Sequence, residues 1–292
     1  MTAAVLSTPR FASPTWQRFR DAFARHPTAI AGGIVLLVMV LIALFAPWLG
    51  TVDPQAVSPI QRLKPPSSEH WFGTDMLGRD VYSRVIYGSR VSLAVGLAVA
   101  ALSLAIGLTI GLVTGFIRWL DAVVMRVMDG LMSIPSVLLA IALMALTKAS
   151  VTNVILAITL AEVPRVVRLV RGLVLSLREQ PYVAAAVAAG TSLPLILLRH
   201  ILPNTAAPLL VQGTYICASA MIVEAILSFI GAGTPPNVPS WGNIMAEARS
   251  LFQIAGYLIL LPGLFLSITV LAVNLLGDGM RDALDPRLAR RM

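Results

Sequence analysis

The sequence predicts an all-α polytopic membrane protein with six transmembrane helices. Three observations carry that expectation. Only 12% of the 292 residues are charged, against about 25% in soluble globular domains. Mean hydropathy is +0.83. Five runs, at 26–52, 91–117, 130–147, 200–223 and 250–277, contain no Asp, Glu, Lys or Arg. Each approaches or exceeds the ~18–20 residues that cross a hydrocarbon core of about 30 Å as a helix.

The expected spans are 28–48, 91–116, 127–147, 151–170, 205–230 and 254–276. The fourth is interrupted by Glu162, Arg165 and Arg168. Charge nevertheless argues for it. With six spans and both termini inside, fifteen of the cations fall on inner segments and seven on outer ones, as the positive-inside rule requires. Without it, the C-terminal arginines Arg281, Arg287, Arg290 and Arg291 would lie outside. The net charge of +8 then marks cytoplasmic membrane ends rather than a nucleic-acid partner.

The N-terminus does not read as a cleaved signal. Arg10, Arg18, Arg20 and Arg25 precede an apolar stretch too long for an h-region. The chain therefore divides into a cytoplasmic tail at 1–27, a first span and long outer loop at 28–87, a core at 88–280 and a C-terminal tail at 281–292. In the second span Gly107, Gly111 and Gly115 recur at four-residue spacing, a face for close approach of another helix.

Chemistry of the usual kinds is absent. Neither lysine, Lys64 or Lys148, follows a glycine, so there is no phosphate-binding P-loop. The histidines His26, His70 and His200 are scattered, and Cys217 is the only cysteine. No metal-ligand spacing or disulfide follows from them, and no nucleophile–base pair suggests an enzyme. Ionisable groups in spans remain: Glu224 and Glu162, with Asp129 nearer an interface. Such carboxylates contact a pathway or gate, or are buried hydrogen-bonded groups. For Glu162 the structural alternative is a partner, Arg165.

Residues 178–204 read REQPYVAAAVAAGTSLPLILLRHILPN. Pro181 suits a first helical turn. Gly190 suits a left-handed cap after Tyr182 and the alanines. The helix is about 12 Å long, too short to span. Ser192 and Pro194 suit a second start. A short stiff helix outside the bilayer, joined to spans on both sides, is a lever. An amphipathic helix lying on the membrane surface is the alternative.

This stretch resembles the cytoplasmic EAA motif of ABC importer permeases. Ala184, Ala185 and Ala186 take the E-A-A positions, followed at the family spacing by Gly190, His200 and Leu202–Pro203. Ala184 replaces glutamate and His200 replaces isoleucine. Residues 71–80, WFGTDMLGRD, are similar to the F-G-T-D-x-x-G-R-D signature of C-type permeases in dipeptide, oligopeptide and nickel importers. Residues 224–243 and 277–287 resemble further segments of that group.

The resemblance implies a type I importer transmembrane domain whose coupling helix docks into an ATPase groove, through Tyr182, Ala184, Ala185, Ala186, Gly190, His200, Leu202 and Pro203. It implies a second, homologous permease, two cytoplasmic ABC ATPases holding ATP and magnesium, and an extracytoplasmic solute-binding protein. This chain would bind no cofactor and sit in the bacterial inner membrane. Gly73, Thr74, Asp75, Gly78, Arg79 and Asp80 would fold a turn on the permease or contact the binding protein. Trp241 and Gly242 would lie near a re-entrant turn. The substrate would be a di- or oligopeptide, with nickel chelates or another small solute as the alternative. A self-sufficient secondary transporter would instead require internal repeats.

Overall fold

The computed structural model describes residues 27–284. The expected tails, with the arginines at 10, 18, 20, 25, 287, 290 and 291, lie outside the described residues apart from 27 and 281–284.

The regular structure among the described residues is helical, with a single isolated antiparallel bridge between Thr74 and Asp80. In order, the helices are α1 (Pro27–Leu44), α2 (Val81–Phe116), α3 (Arg118–Met132), α4 (Ser136–Ala145), α5 (Val151–Arg178), α6 (Pro181–Ala188), α7 (Leu202–Phe229), α8 (Trp241–Ala248) and α9 (Tyr257–Leu284). A helical turn, Leu193–Ile196, and a π-turn, Leu197–Ile201, lead directly into α7.

Four helical stretches are long and apolar enough to cross a membrane: Pro27–Leu44, Val81–Phe116, Leu193–Phe229 and Tyr257–Ala283. The pair α3–α4 makes a fifth if it counts as one span. That pair corrects the expectation of one continuous third span at 127–147. It bends by 88° between Met132 and Ser136. Pro135 removes a backbone donor and disfavours helical geometry at the residue before it.

α2 also begins ten residues before the expected start. Asp80 caps it, accepting from the Ser83 amide at 2.8 Å. Arg84 and Arg90 end the uncharged run without ending the helix, because both are partnered. Arg90 Nε donates to the Ala43 carbonyl at 2.5 Å, and Arg84 joins the ion cluster described below.

The glycine face of α2 meets α5. A Cβ at Gly107, Gly111 or Gly115 would lie 2.5–2.6 Å from the side chains of Val166, Val170 and Val174, respectively. The register rises in step on both helices, so α2 and α5 run parallel. α7 packs antiparallel on the other side of α2, with Gly96 against Cys217 and Met221 and Gly213 against Leu104. α9 packs on α7 and α1, where Gly32 lies against Ala272 and Leu275. Val95, Val99, Val166, Val170, Ile216 and Met221 fill the core between these helices.

Small residues thus set the α2–α5 distance. Gly111→Val places a branched side chain where its Cβ stands 2.6 Å from that of Val170. Overpacking of this kind costs about 1–3 kcal/mol. The expected result is a lower thermal midpoint for the detergent-solubilised protein.

Candidate functional site

On the expected cytoplasmic side, α5 ends at Glu179 and Gln180 opens α6 in an extended conformation. Pro181 occupies the first turn. The Val183 and Ala184 amides donate to the Gln180 carbonyl at 3.0 and 3.1 Å. At the other end Gly190 has φ +76°. Its amide donates to the Val187 carbonyl at 2.9 Å, and the Thr191 amide to the Ala186 carbonyl at 3.0 Å. This is the left-handed Schellman termination that a glycine favours. Ser192 stands at the expected start of the next turn, but its side chain makes no cap.

Val183, 1% exposed, pins α6 to the core, with Ala186 packed beside it. The opposite face is open. Ala184, Ala185, Val187, Ala188, Ala189 and Gly190 are exposed, and no atom lies within 4 Å of a Cβ placed on Gly190. Residues 180–198 contain no charged side chain. The rest of the expected set lies at the base of α6. The Tyr182 ring stands 6.2 Å from that of His200. Leu202 and Pro203 form the first turn of α7. Asn204, which sequence reasoning missed, bridges the two arms: its Nδ2 donates to the His200 carbonyl at 2.7 Å and to the Tyr182 hydroxyl at 3.5 Å.

The outer motif folds onto the helical bundle itself. Gly73 and Gly78 have φ of +74° and +73°, and side chains there would strike the backbones of Lys64 and Ser58. Thr74 Oγ1 donates to the Gln61 carbonyl and accepts from the Lys64 amide. Asp80 holds the His70 ring at 3.0 Å as well as capping α2.

Asp75 accepts from the amides of Leu77 and Arg79 at 2.8 and 2.9 Å, from Arg79 Nε at 2.6 Å and from Arg84 Nη1 at 2.6 Å. Both guanidinium groups also reach Glu247 of α8. Two cations and two carboxylates therefore tie the loop to the start of α2 and the end of α8. Neither Arg84 nor Glu247 was singled out in the sequence; their signal, opposite charges 163 residues apart, is weak without the fold. Arg84 is 2% exposed, and its Nε lacks a hydrogen-bond partner.

Burial by itself raises the Asp75 carboxyl. The amide bonds and the Arg79 and Arg84 charges more than offset this, holding it below its ordinary value. A depressed folded pKa gives stability that is complete above the free-carboxylate range near 3.8 and is lost as pH falls below it. Hydrogen exchange of residues 58–80, corrected for intrinsic rate, should therefore hold steady from about pH 8 to 5 and accelerate only below about pH 4.

Glu224 is fully buried. It accepts from Ser228 Oγ at 2.9 Å and Ser92 Oγ at 3.4 Å. Ser92 Oγ also accepts from the Trp241 amide. Around them, Thr234, Ser240 and Asn243 form a nest, with Asn243 Nδ2 donating to Thr234 Oγ1 at 2.8 Å and to the Pro235 and Val238 carbonyls at 2.9 and 3.0 Å. Trp241 is buried and donates from Nε1 to the Val85 carbonyl at 3.1 Å. Gly242 lets α8 touch α7, since a Cβ there would lie 2.6 Å from Ala225 Cα. Glu224 thus holds loop 231–240 and α8 against α2 and α7. Ser228, Thr234 and Ser240 lie in the stretch 224–243 that resembles the family, whereas Ser92 gave no sequence signal. Glu162 is 1% exposed. Arg165 Nη1 lies 3.1 Å from its Oε2, an ion-pair distance without hydrogen-bond alignment.

An apolar helical bundle with a short, exposed, uncharged helix on one side and a clamped loop on the other is the architecture of a polytopic membrane component. The chain belongs to the family described as the binding-protein-dependent transport system inner membrane component, which matches residues 86–290. It is a multi-pass permease subunit that works with ABC transporter subunits and a solute-binding protein. Residues 14–66 match the N-terminal TM domain of oligopeptide transport permease C.

Among similar proteins, a probable peptide ABC transporter permease protein of Sinorhizobium fredii is 53% identical over 99% of this chain and 98% of its own length. The dipeptide transport system permease protein of Alkalihalophilus pseudofirmus is 40% identical over 94% and 90%. The glutathione transport system permease protein of Escherichia coli is 39% identical over 99% and 96%.

Proposed function

We propose that this chain forms half of the translocation path of an ATP-driven importer of di- and oligopeptides, with α6 as the point where force from a cytoplasmic ATPase enters. The observation that carries the reading is the open face of α6, fixed at both ends and free of charge. The peptide substrate is supported by relatives named for peptide, dipeptide and glutathione transport.

Six spans with both termini inside fit this reading. α5 fails on composition alone, yet it lies parallel along α2 and so shares its depth. With α1, α2, the bent α3–α4 pair, α7 and α9 it completes the set. A homologous permease supplies the other half of the path. Two ATPases, holding ATP and magnesium, bind beneath, and a solute-binding protein delivers substrate from above. This chain carries no catalytic site and no cofactor of its own.

ATP binding draws the ATPases together, and α6 carries that motion into α5 and α7. Moving a two-state equilibrium from one side to the other takes about 5.5 kcal/mol of differential binding. The Val183 anchor, the Gly190 cap and the Asn204 bridge give the lever the stiffness to transmit such a bias. On the outer side, Glu224 positions the re-entrant α8 rather than touching cargo. Glu224→Gln keeps its size but weakens the nest, and should alter import while assembly persists. Import unchanged across pH would leave Glu224 a purely structural role.

Affinity purification of the tagged chain tests the assembly. A second permease and ATPases should accompany it; recovery of the chain alone, active in transport, would contradict the reading. Uptake into proteoliposomes with the cognate binding protein, comparing peptides with nickel chelates, decides the substrate.

A further inference from the structure

α1 leaves a groove where it passes α2. Near its start it is seated on α9, with Gly32 against Ala272 and Leu275. At its far end it meets α2, where Arg90 Nε and Nη2 donate to the Ala43 and Leu44 carbonyls. Between these contacts lie two hollows of about 320 and 330 Å³. They share Val40, Leu93 and Leu97 as walls, and so form one groove. Along α2 its lining recurs every three or four residues, from Arg90 through Leu93, Leu97 and Ala101 to Leu104. That is one face of a helix, running about 21 Å.

The wall is apolar, and Thr214, which contributes to it, donates its hydroxyl to the Val211 carbonyl. A cavity of this lining excludes water and takes hydrocarbon. Arg90, at one end, supplies a different kind of recognition. It is exposed, and its guanidinium stands 5.2 Å over the Tyr87 ring. Two of its five N–H donors go to carbonyls, which carry no net charge. Among the described residues no carboxylate pairs with it. An unbalanced cation heading an apolar groove complements a molecule with an anionic head and a hydrocarbon tail.

We propose that the α1–α2 groove binds one anionic phospholipid, its phosphate on Arg90 and one acyl chain lying along Val40, Leu93, Leu97 and Leu104. Arg matches a phosphate through its forked donors. A headgroup that also bears an ammonium would set a second cation beside Arg90 with no carboxylate paired there, so a net anionic lipid is preferred. The acyl chain fills the space between α1 and α2 and fixes the first span against the bundle. The site requires only that the chain sit in a bilayer; it is independent of the substrate and of the ATPases.

The test is native mass spectrometry of the detergent-solubilised assembled complex, titrated with phosphatidylglycerol or phosphatidylethanolamine. The wild type should bind phosphatidylglycerol several-fold more tightly. Arg90→Gln should weaken it roughly 10-fold, as expected for loss of a charged hydrogen bond, and should bring the two lipids toward parity. That variant also loosens α1, so Ala101→Phe is the independent one. It keeps Arg90 and fills the groove, and should retain one phosphatidylglycerol fewer than the wild type. Leu102→Phe, exposed on α2 outside the groove, should retain the full number.

Equal retention by the wild type, Arg90→Gln and Ala101→Phe would overturn the site, leaving only exchangeable lipid around the protein. A photo-cross-linker at Leu97, which is 56% exposed, should label lipid. Labelling of the second permease instead would mean that a partner helix covers the groove, and would overturn the site equally. Neither result would touch the permease reading.

Discussion

Ala185→Trp should abolish import. The side chain is exposed on the open face of α6, so the indole meets no clash within this chain. Tryptophan costs a helix only about 0.5 kcal/mol relative to alanine, so α6 should still form. The effect falls on the partner. A surface that approaches an alanine-rich face closely has no room for an indole. Loss of a central contact of this kind costs on the order of 2–4 kcal/mol, or roughly 30- to 1000-fold in affinity. The check is ATPase recovery with the tagged permease, alongside uptake; membrane insertion should be unchanged. Ala184→Glu is the matched control. It restores the family residue near a helix N-terminus, where a negative charge is favourable, and import should persist.

The second large effect is expected at Arg84→Met. The variant leaves Asp75 and Glu247 with Arg79 as their remaining cation. Removing one partner from a buried ion cluster costs about 3–5 kcal/mol, because an uncompensated charge remains. Folded yield and thermal midpoint should both fall. Arg84→Met/Glu247→Met removes one charge of each sign and keeps the Asp75–Arg79 pair, so it should recover part of the loss. The two substitutions should therefore be coupled by about 1–3 kcal/mol in a double-mutant cycle. Additive losses would mean that the cluster does not act as a unit.

These two sites were legible to different degrees. α6 could be read in advance because its signals are local: Pro181 opens it, Gly190 closes it with a positive φ, and both lie within ten residues. The glycine face of α2 was also local, though not its partner; only the fold shows that Val166, Val170 and Val174 of α5 fill it. The start of α2 was misplaced because Arg84 and Arg90 look like a membrane boundary. They are carried inside the helix because Asp75, Glu247 and the carbonyls at the end of α1 satisfy them. Likewise Pro135 was visible, but its 88° consequence depends on what α3 and α4 pack against. The Glu224 nest was the least legible. Ser228, Thr234, Ser240 and Asn243 lie in the family-like stretch 224–243, but nothing in that stretch or around Ser92 shows that they meet. Only the return of α8 between α2 and α7 gathers them around one carboxylate.

The central claim is that α6 docks on an ATPase. The most direct measurement places a photo-cross-linking amino acid at Val187, which is 58% exposed and makes no contact that anchors α6. Irradiation of the assembled complex is expected to yield an adduct with the ATPase subunit, in an amount that changes when ATP is added. Labelling of lipid alone, with no ATPase adduct in either nucleotide state, would mean that α6 lies on the membrane surface and is not the lever.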